Sequence, residues 1–514
     1  MRKKRAVWNT FSNLLLQVIV AITGLLVPKF ILSIYGSTIN GMINSISQFL
    51  TYAALVEMGV GNAAIVALYR PLAENDWDST NAVLSSTKRR YLFSGIVYVS
   101  IVIFLGSIYP IIISENNLNY QFVFFMVIVI AGTNALDYFI LGKYKVFLSA
   151  NQMYYILNIA KGISTLFTTV FSCILLLNAF PIIAVKLVAV GVHLGEILVI
   201  RRYVHRLYPN ISFSSKKKVH ISQQANALIH QLCCTVIYNT DLIVLTIFLP
   251  KESLKEVSVY TVYLIVLGMM TNLVKTLTDG MNSTFGDIII REKQEQLVNY
   301  YNLYEFIVTI VVYILYSCFI VLIIPFVACY THGVTDVNYI RISLAVLFGL
   351  AGITAQIKDA SGVLIAAAGH YKQTQKYVIF EAVTNIVISI ILVRKYGIEG
   401  VLIGTIVSHV LADFGYIRYV NKNILHVSNE KILRRIVRNS LFMCVVVPIE
   451  FNFTRTIDNW IIWVIFAGII TAINGIAYIA FNMLVEKELY RQVKDEIKGK
   501  CKKILNRREE DKWS

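Results

Sequence analysis

The chain has 514 residues, of which 57% are hydrophobic and only 15% charged, with a formal net charge of +17, and its mean hydropathy is +0.65. A soluble globular protein carries about 25% charged residues, so these values exclude a string of soluble domains and predict a polytopic membrane protein. The seven cysteines have neither the spacing of a metal site nor that of a disulfide framework, and read as small apolar filler.

The N-terminal MRKKRAVW has the charge of a signal peptide. The apolar run behind it continues to about residue 34, longer than a signal core of about 7–15 residues, and is read as an uncleaved first span. About 20 apolar residues cross the hydrocarbon layer as a helix. Fourteen such runs follow one another, with limits near 8–34, 41–69, 91–113, 121–149, 153–178, 180–200, 223–249, 257–290, 303–328, 341–368, 377–394, 400–418, 438–452 and 459–484. Gly24, Pro28 and Gly59-Val60-Gly61 mark kinks in the first two. Residues 205–222, with Lys216-Lys217-Lys218, form a basic linker after the sixth run. Beyond the last run, residues 485–514 place Val485, Leu489, Val493, Ile497, Cys501 and Ile504 at helical spacing between Lys and Arg. That pattern predicts an amphipathic helix on the anionic inner leaflet or against a partner.

With the N-terminus inside, 36 of the 47 Lys and Arg fall in inside segments and 6 outside. This is the bias of the positive-inside rule, and it places both termini in the cytoplasm. The net charge is therefore an orientation signal, which excludes nucleic acid as the partner. The outside loops are too short for an external catalytic domain.

A phrase is written twice. VHLGEILVIRRYV at residues 192–204 returns as SHVLADFGYIRYV at 408–420, with His193 against His409 and Arg202-Tyr203-Val204 against Arg418-Tyr419-Val420. Asn13 and Gln17 correspond likewise to Asn226 and His230, and Ser149-Ala150-Asn151 to Ala367-Ala368-Gly369. The reading is an all-α membrane protein: a six-helix lobe (1–204), the linker (205–222), a second six-helix lobe (223–420), two further helices (421–484) and the tail. Six is an even number, so two such lobes are related by an axis along the membrane normal, as in transporters that rock about a central cleft.

The spans contain Lys29, Glu57, Asp137, Lys161, Lys186, Glu196, Asp241, Lys275, Asp279, Lys358, Asp359, Glu381 and Asp413. A charge at mid-membrane costs about 2.5–3.5 kcal/mol on insertion scales, so these side chains should pair or face a hydrated cavity. At 1.5 Å per residue, Glu57, Asp137, Lys358 and Asp359 lie near the midplane and Lys161, Lys275, Asp279, Glu196 and Asp413 in the inner third. Lys29 and Lys186 lie near the outer end, where they can snorkel, and Glu381 falls near the inner surface, solvated. Two readings stand for the deep set: ion pairs that fix packing, or a cationic cavity for an anionic head group with acids that balance it or bind a coupling ion. His193 and His409 are either proton relays or structural hydrogen-bonding groups. Glu196 and Asp413, three and four residues further on, share their helix faces and predict a local His–carboxylate contact in each copy.

Pro28 with Tyr35-Gly36, Asn239-Thr240-Asp241 with Tyr260, and the run from Asn385 through Tyr396-Gly397-Ile398-Glu399-Gly400 to Gly404-Thr405 carry a resemblance. Over nearly its whole length the chain resembles the polysaccharide transporters, the O-antigen and capsule repeat-unit flippases of the multidrug/oligosaccharidyl-lipid/polysaccharide exporter superfamily. The resemblance implies a fourteen-helix bundle in a bacterial cytoplasmic membrane that moves undecaprenyl-diphosphate-linked oligosaccharide between leaflets. It implies membrane lipids and polysaccharide assembly proteins as partners, and no cofactor beyond a coupling ion, H+ or Na+. By position Lys161, Lys275 and Lys358 take the diphosphate role, and Glu57, Asp137, Asp241, Asp279 and Asp359 the coupling role. The rivals are a cation-coupled multidrug exporter of the same superfamily and a membrane polysaccharide polymerase or ligase.

Overall fold

The computed structural model describes residues 2–113, 118–215, 217, 219, 225–249, 251–278, 280–291, 293–454, 457–489 and 491. Asp279, Lys216, Lys218 and the tail from 492 onward lie outside the described residues. Among those described, all regular structure is helical. Ten helices are long and apolar enough to cross a membrane, eleven if the bent pair Ile229–Asn239 and Asp241–Phe248 counts as one. Two stretches, Val7–Ala73 of 67 residues and Tyr371–Leu425 of 55, are each long enough for two crossings. With Glu430–Thr454, fourteen helical segments match the fourteen apolar runs. The chain is a multi-pass membrane protein.

The breaks fall where the backbone must leave helical space. Gly36, at φ 78, interrupts Arg2–Ala53, and Gly397, at φ 58, interrupts Tyr371–Val420. Both need the left-handed region that glycine enters without penalty. Ser37 restarts the chain after Gly36 by donating from its backbone N–H (2.8 Å) and hydroxyl (2.6 Å) to Asp336. Gly59, at φ 81, separates the 3₁₀ turn Ala54–Glu57 from Val60–Ala73. The helix Arg2–Ala53 runs on through Gly24 and Pro28, and its one residue outside helical space is Gly36. Neighbouring helices and hydroxyls re-satisfy a carbonyl freed by proline within a bundle. In the fourth span one π-turn, Asp137–Leu141, joins Tyr120–Leu136 to Gly142–Ala150. Such bulges often mark functional positions.

The chain divides into two compact units, one of Met1–Ile265, Thr331–Asn338 and Ile386–Val401, the other of Val266–Tyr330, Tyr339–Asn385 and Leu402–Ser514. This division cuts the eighth span rather than the linker at 205–222. In the first unit Met42, Ile46, Tyr98, Tyr109, Val127, Phe147 and Ile197 are buried. Helices approach closely where a side chain is missing. A Cβ on Gly41 would stand 1.7 Å from the Leu254 carbonyl oxygen, and one on Gly142 would stand 2.3 Å from the Tyr91 ring. Small residues at such contacts replace the hydrophobic drive that lipid cannot supply.

The second unit is built on Gln294–Tyr330, which packs against Ile342–Ala367, Glu430–Thr454 and Trp460–Val485. At its base Arg435, 2% exposed, pairs with Glu305 and, from Nη2 at 2.6 Å, with Glu486. Arg438 pairs with Glu486 as well and donates to Asn482 at 2.9 Å. Sequence reading leaves Arg435 among the solvated loop charges. Glu430–Thr454 begins well before the apolar run near 438, so Arg435 already lies on its packed face. Burial raises the Glu486 carboxyl, but the hydrogen bonds and charges of Arg435 and Arg438 outweigh burial and hold it below the ordinary value. A depressed carboxyl contributes stability above the ordinary value of about 4.3, and that stability is lost as pH falls through the lower folded value. Thermal melts across acid pH should therefore show an acid-sensitive limb that Glu486→Gln removes. A variant that keeps the whole limb places the acid sensitivity elsewhere.

Candidate functional site

Between the first, second, fourth, fifth and sixth spans of the first unit lies a cavity of about 440 Å³. The fifth span, Tyr154–Leu177, brings Lys161, Ser164, Thr165, Thr168 and Thr169, and the sixth, Ile182–Leu207, brings Lys186 and His193. The first and second spans add Thr23, Asn40, Asn44 and Ser47 beside Val20, Val27 and Ile31. No carboxylate is among the described residues that line it. Two ammonium groups and a wall of hydroxyls and amides thus stand in an apolar lobe, where fixed donors interact more strongly than in water. Lys186, expected to snorkel near the outer end, is half-buried and lines this cavity. It sits on the second turn after Pro181, and its long side chain shares the cavity with Lys161.

At the cavity edge His193, 5% exposed, stands between two carboxylates. Its Nε2 is 2.8 Å from Asp137 Oδ1 and its Nδ1 is 3.1 Å from Glu196 Oε2. Asp137 opens the π-turn and also accepts from Lys145 Nζ at 2.6 Å. The expected His193–Glu196 contact is present, and Asp137, from another helix, completes it. Glu57 accepts from the Tyr91 hydroxyl.

In the second unit Lys358, 6% exposed, donates to Glu381 Oε1 at 2.7 Å. Glu381 is fully buried, which corrects its expected place in solvent. Its helix starts at Tyr371 rather than near 377, so it lies ten residues, about 15 Å, from that end. His409 Nε2 is 3.7 Å from the same carboxylate, and His409 Nδ1 is 3.3 Å from the Thr354 hydroxyl. The contact expected between His409 and Asp413 is replaced by these, and Asp413 Oδ1 is buried without a hydrogen-bond partner.

The other expected residues scatter. Lys275 is exposed and Asp359 half-buried. Buried Asp241 accepts from the Tyr260 hydroxyl at 2.6 Å. Asn385 donates to Thr405 at 3.0 Å. Both are pairs within the motif residues that carried the family resemblance. The structure therefore brings together Lys161 with Lys186, Asp137 with His193 and Glu196, and Lys358 with Glu381. Sequence reading missed Glu305–Arg435–Glu486, and the i,i+3 spacing of His193 and Glu196 is the only one of these pairings written locally. No group of three or more His, Cys, Asp and Glu among the described residues is placed to hold a metal ion.

A fold of this kind, long helices in two units, is shared with transporters of the MOP superfamily. The chain is similar to the lipid II flippase MurJ in an inward closed conformation, with a TM-score of 0.62, 15% identity, and coverage of 95% of this chain and 99% of that one. It is also similar to an inward-facing multidrug resistance MATE family transporter of the MOP superfamily (TM-score 0.58, 14% identity, 83% and 96% covered). A third similar structure is a MOP superfamily transporter from Pyrococcus furiosus described as having a binding pocket of reverse polarity (TM-score 0.53, 14% identity, 85% and 96% covered). At these identities the likeness is one of fold. No protein-family model matches the sequence, and no curated relative matches it either.

Proposed function

We propose that the chain is a flippase that carries undecaprenyl-diphosphate-linked oligosaccharide repeat units from the inner to the outer leaflet of a bacterial cytoplasmic membrane, by alternating access, for surface polysaccharide assembly. The observation that carries this reading is the cavity holding Lys161 and Lys186 with no carboxylate on its described lining. A compact ammonium binds phosphate oxygens well. The hydroxyl and amide walls suit sugars, and the polyprenyl chain stays in lipid. Membrane lipids and polysaccharide assembly proteins are its partners. The fold shared with a lipid II flippase supports the lipid-linked class.

The second reading, a multidrug exporter, has the MATE fold in its favour, but a cavity with two lysines repels the cationic compounds that an acid-lined one would attract. Reconstitution into vesicles tests the choice. A short-chain polyprenyl-diphosphate oligosaccharide should become accessible on the far leaflet faster than in protein-free vesicles, while a cationic dye is not moved. Dye transport without lipid transport would reverse the assignment.

A further inference from the structure

His193 offers two nitrogens to two carboxylates, at 2.8 and 3.1 Å. A neutral imidazole has one N–H donor and one lone pair. If the ring is neutral, one of these contacts sets a lone pair against a carboxylate oxygen. Satisfying both requires one proton more than a neutral ring and two carboxylates hold between them. We infer that the Asp137–His193–Glu196 triad is a proton-binding site, and that its proton is taken up together with an anionic lipid phosphate in the adjoining cavity.

The surrounding charge explains the coupling. Asp137 faces the ring from the fourth span, with Lys145 bonded to its other oxygen, and Glu196 faces it from its own helix. Lys161, on the fifth span, lies within electrostatic reach of Glu196, and Glu57 within reach of Asp137 and Lys145. Lys186 lines the same cavity, to which the first and second spans contribute only neutral residues. Taken in their ordinary ionised forms, the three carboxyls and three ammonium groups cancel. The proton on the triad therefore makes this interior positive by one charge, which favours an anion in the cavity. By reciprocity the anion favours the proton to the same degree. When the proton leaves, either the contact to Glu196 or the one to Asp137 breaks. Asp137 opens the π-turn of the fourth span, a kind of bulge often found at functional sites, so a break of its contact acts directly on that turn.

This rests on the anion-cavity reading above, and the test separates the two. Farnesyl diphosphate is titrated calorimetrically into the full chain in detergent from about pH 5.5 to 8.5, the range in which an imidazole titrates. Two buffers of different ionisation heat report the protons exchanged. The expected result is uptake of one proton per ligand and an affinity that falls about tenfold per pH unit above the titration of the triad. His193→Gln should bind more weakly, with only the pH profile of the ligand's own phosphate, so the difference between the two profiles belongs to the triad. A merely structural histidine would lower affinity without flattening that profile. Wild-type binding that shares the flat profile, without proton uptake, overturns the coupling and leaves the anion cavity standing. Absence of binding at every pH overturns the cavity and the coupling with it.

Discussion

Lys358→Met is expected to destabilise the protein by about 3–5 kcal/mol, the usual loss when one partner of a buried ion pair is removed. The reason is Glu381, fully buried and joined to Lys358 at 2.7 Å. Left alone, its carboxylate escapes by taking a proton. From an ordinary value near 4.3 that costs about 4 kcal/mol at neutral pH and about 1 at pH 5, which caps the loss. Glu381→Gln removes the opposite charge from the buried ammonium instead, and shedding its proton costs about 5 kcal/mol at pH 7 and about 2 at pH 9. The two variants should therefore recover in opposite directions, the first towards acid and the second towards base. The double variant with Met at both positions should lie near wild type, because replacing a whole buried pair by apolar groups of similar volume is often neutral. Thermal melts in detergent across pH decide this. Single-variant losses that ignore pH would mean that Lys358 acts through packing and not through charge. Transport by the double variant then asks the separate question of function. A stable double variant that still moves lipid removes Lys358 from substrate handling, and a stable but inactive one keeps it there.

The repeated phrase shows what the sequence made legible and what it did not. Both copies lie on long helices with the histidine buried, as their common periodicity requires. Yet His193 meets two carboxylates, whereas His409 meets Thr354 and a glutamate already paired to lysine. Position along a helix follows from the pattern of apolar residues, and so do the fourteen segments. The identity of the neighbour across a helix interface depends on rotation and packing, which a single helix does not encode. Asp137 and His193 are 56 residues apart, and neither is marked as the other's partner. The same limit hid Lys186. Its depth was readable, but the face it turns to the cavity was set by the fifth span. Helix ends were read short for a different reason. Apolar windows stop at the first charges, so Glu381 and Arg435, both on helices that run past the windows, were placed in water.

Neutralising the cavity should have the larger functional effect. Among the described residues no ion pair engages Lys161 or Lys186, and Lys161 is exposed, so Lys161→Gln and Lys186→Gln each remove an unbridged charge. The fold should therefore tolerate them, with changes within about 0.5 kcal/mol for the exposed site. Each lost charge-assisted bond to a phosphate oxygen is worth about 1.5–3 kcal/mol, a factor of roughly 10–150 in affinity. Lys161 and Lys186 would grip one diphosphate, so the double variant need not reach the product of the two, but it should fall at least a hundredfold, taking lipid movement in vesicles below detection. The sign of the effect separates the rival substrates. Removing positive charge weakens an anion and strengthens a cation in the same cavity, because the Coulomb energy reverses with the ligand's charge. A double variant that binds farnesyl diphosphate as tightly as wild type, or that gains affinity for a cationic dye and begins to move it, would show that the cavity does not select the diphosphate. The screening of charges by salt provides a further check: affinity that rests on half-buried Lys186 should lose less between low and physiological ionic strength than affinity that rests on exposed Lys161, whose field fades over a Debye length of about 8 Å.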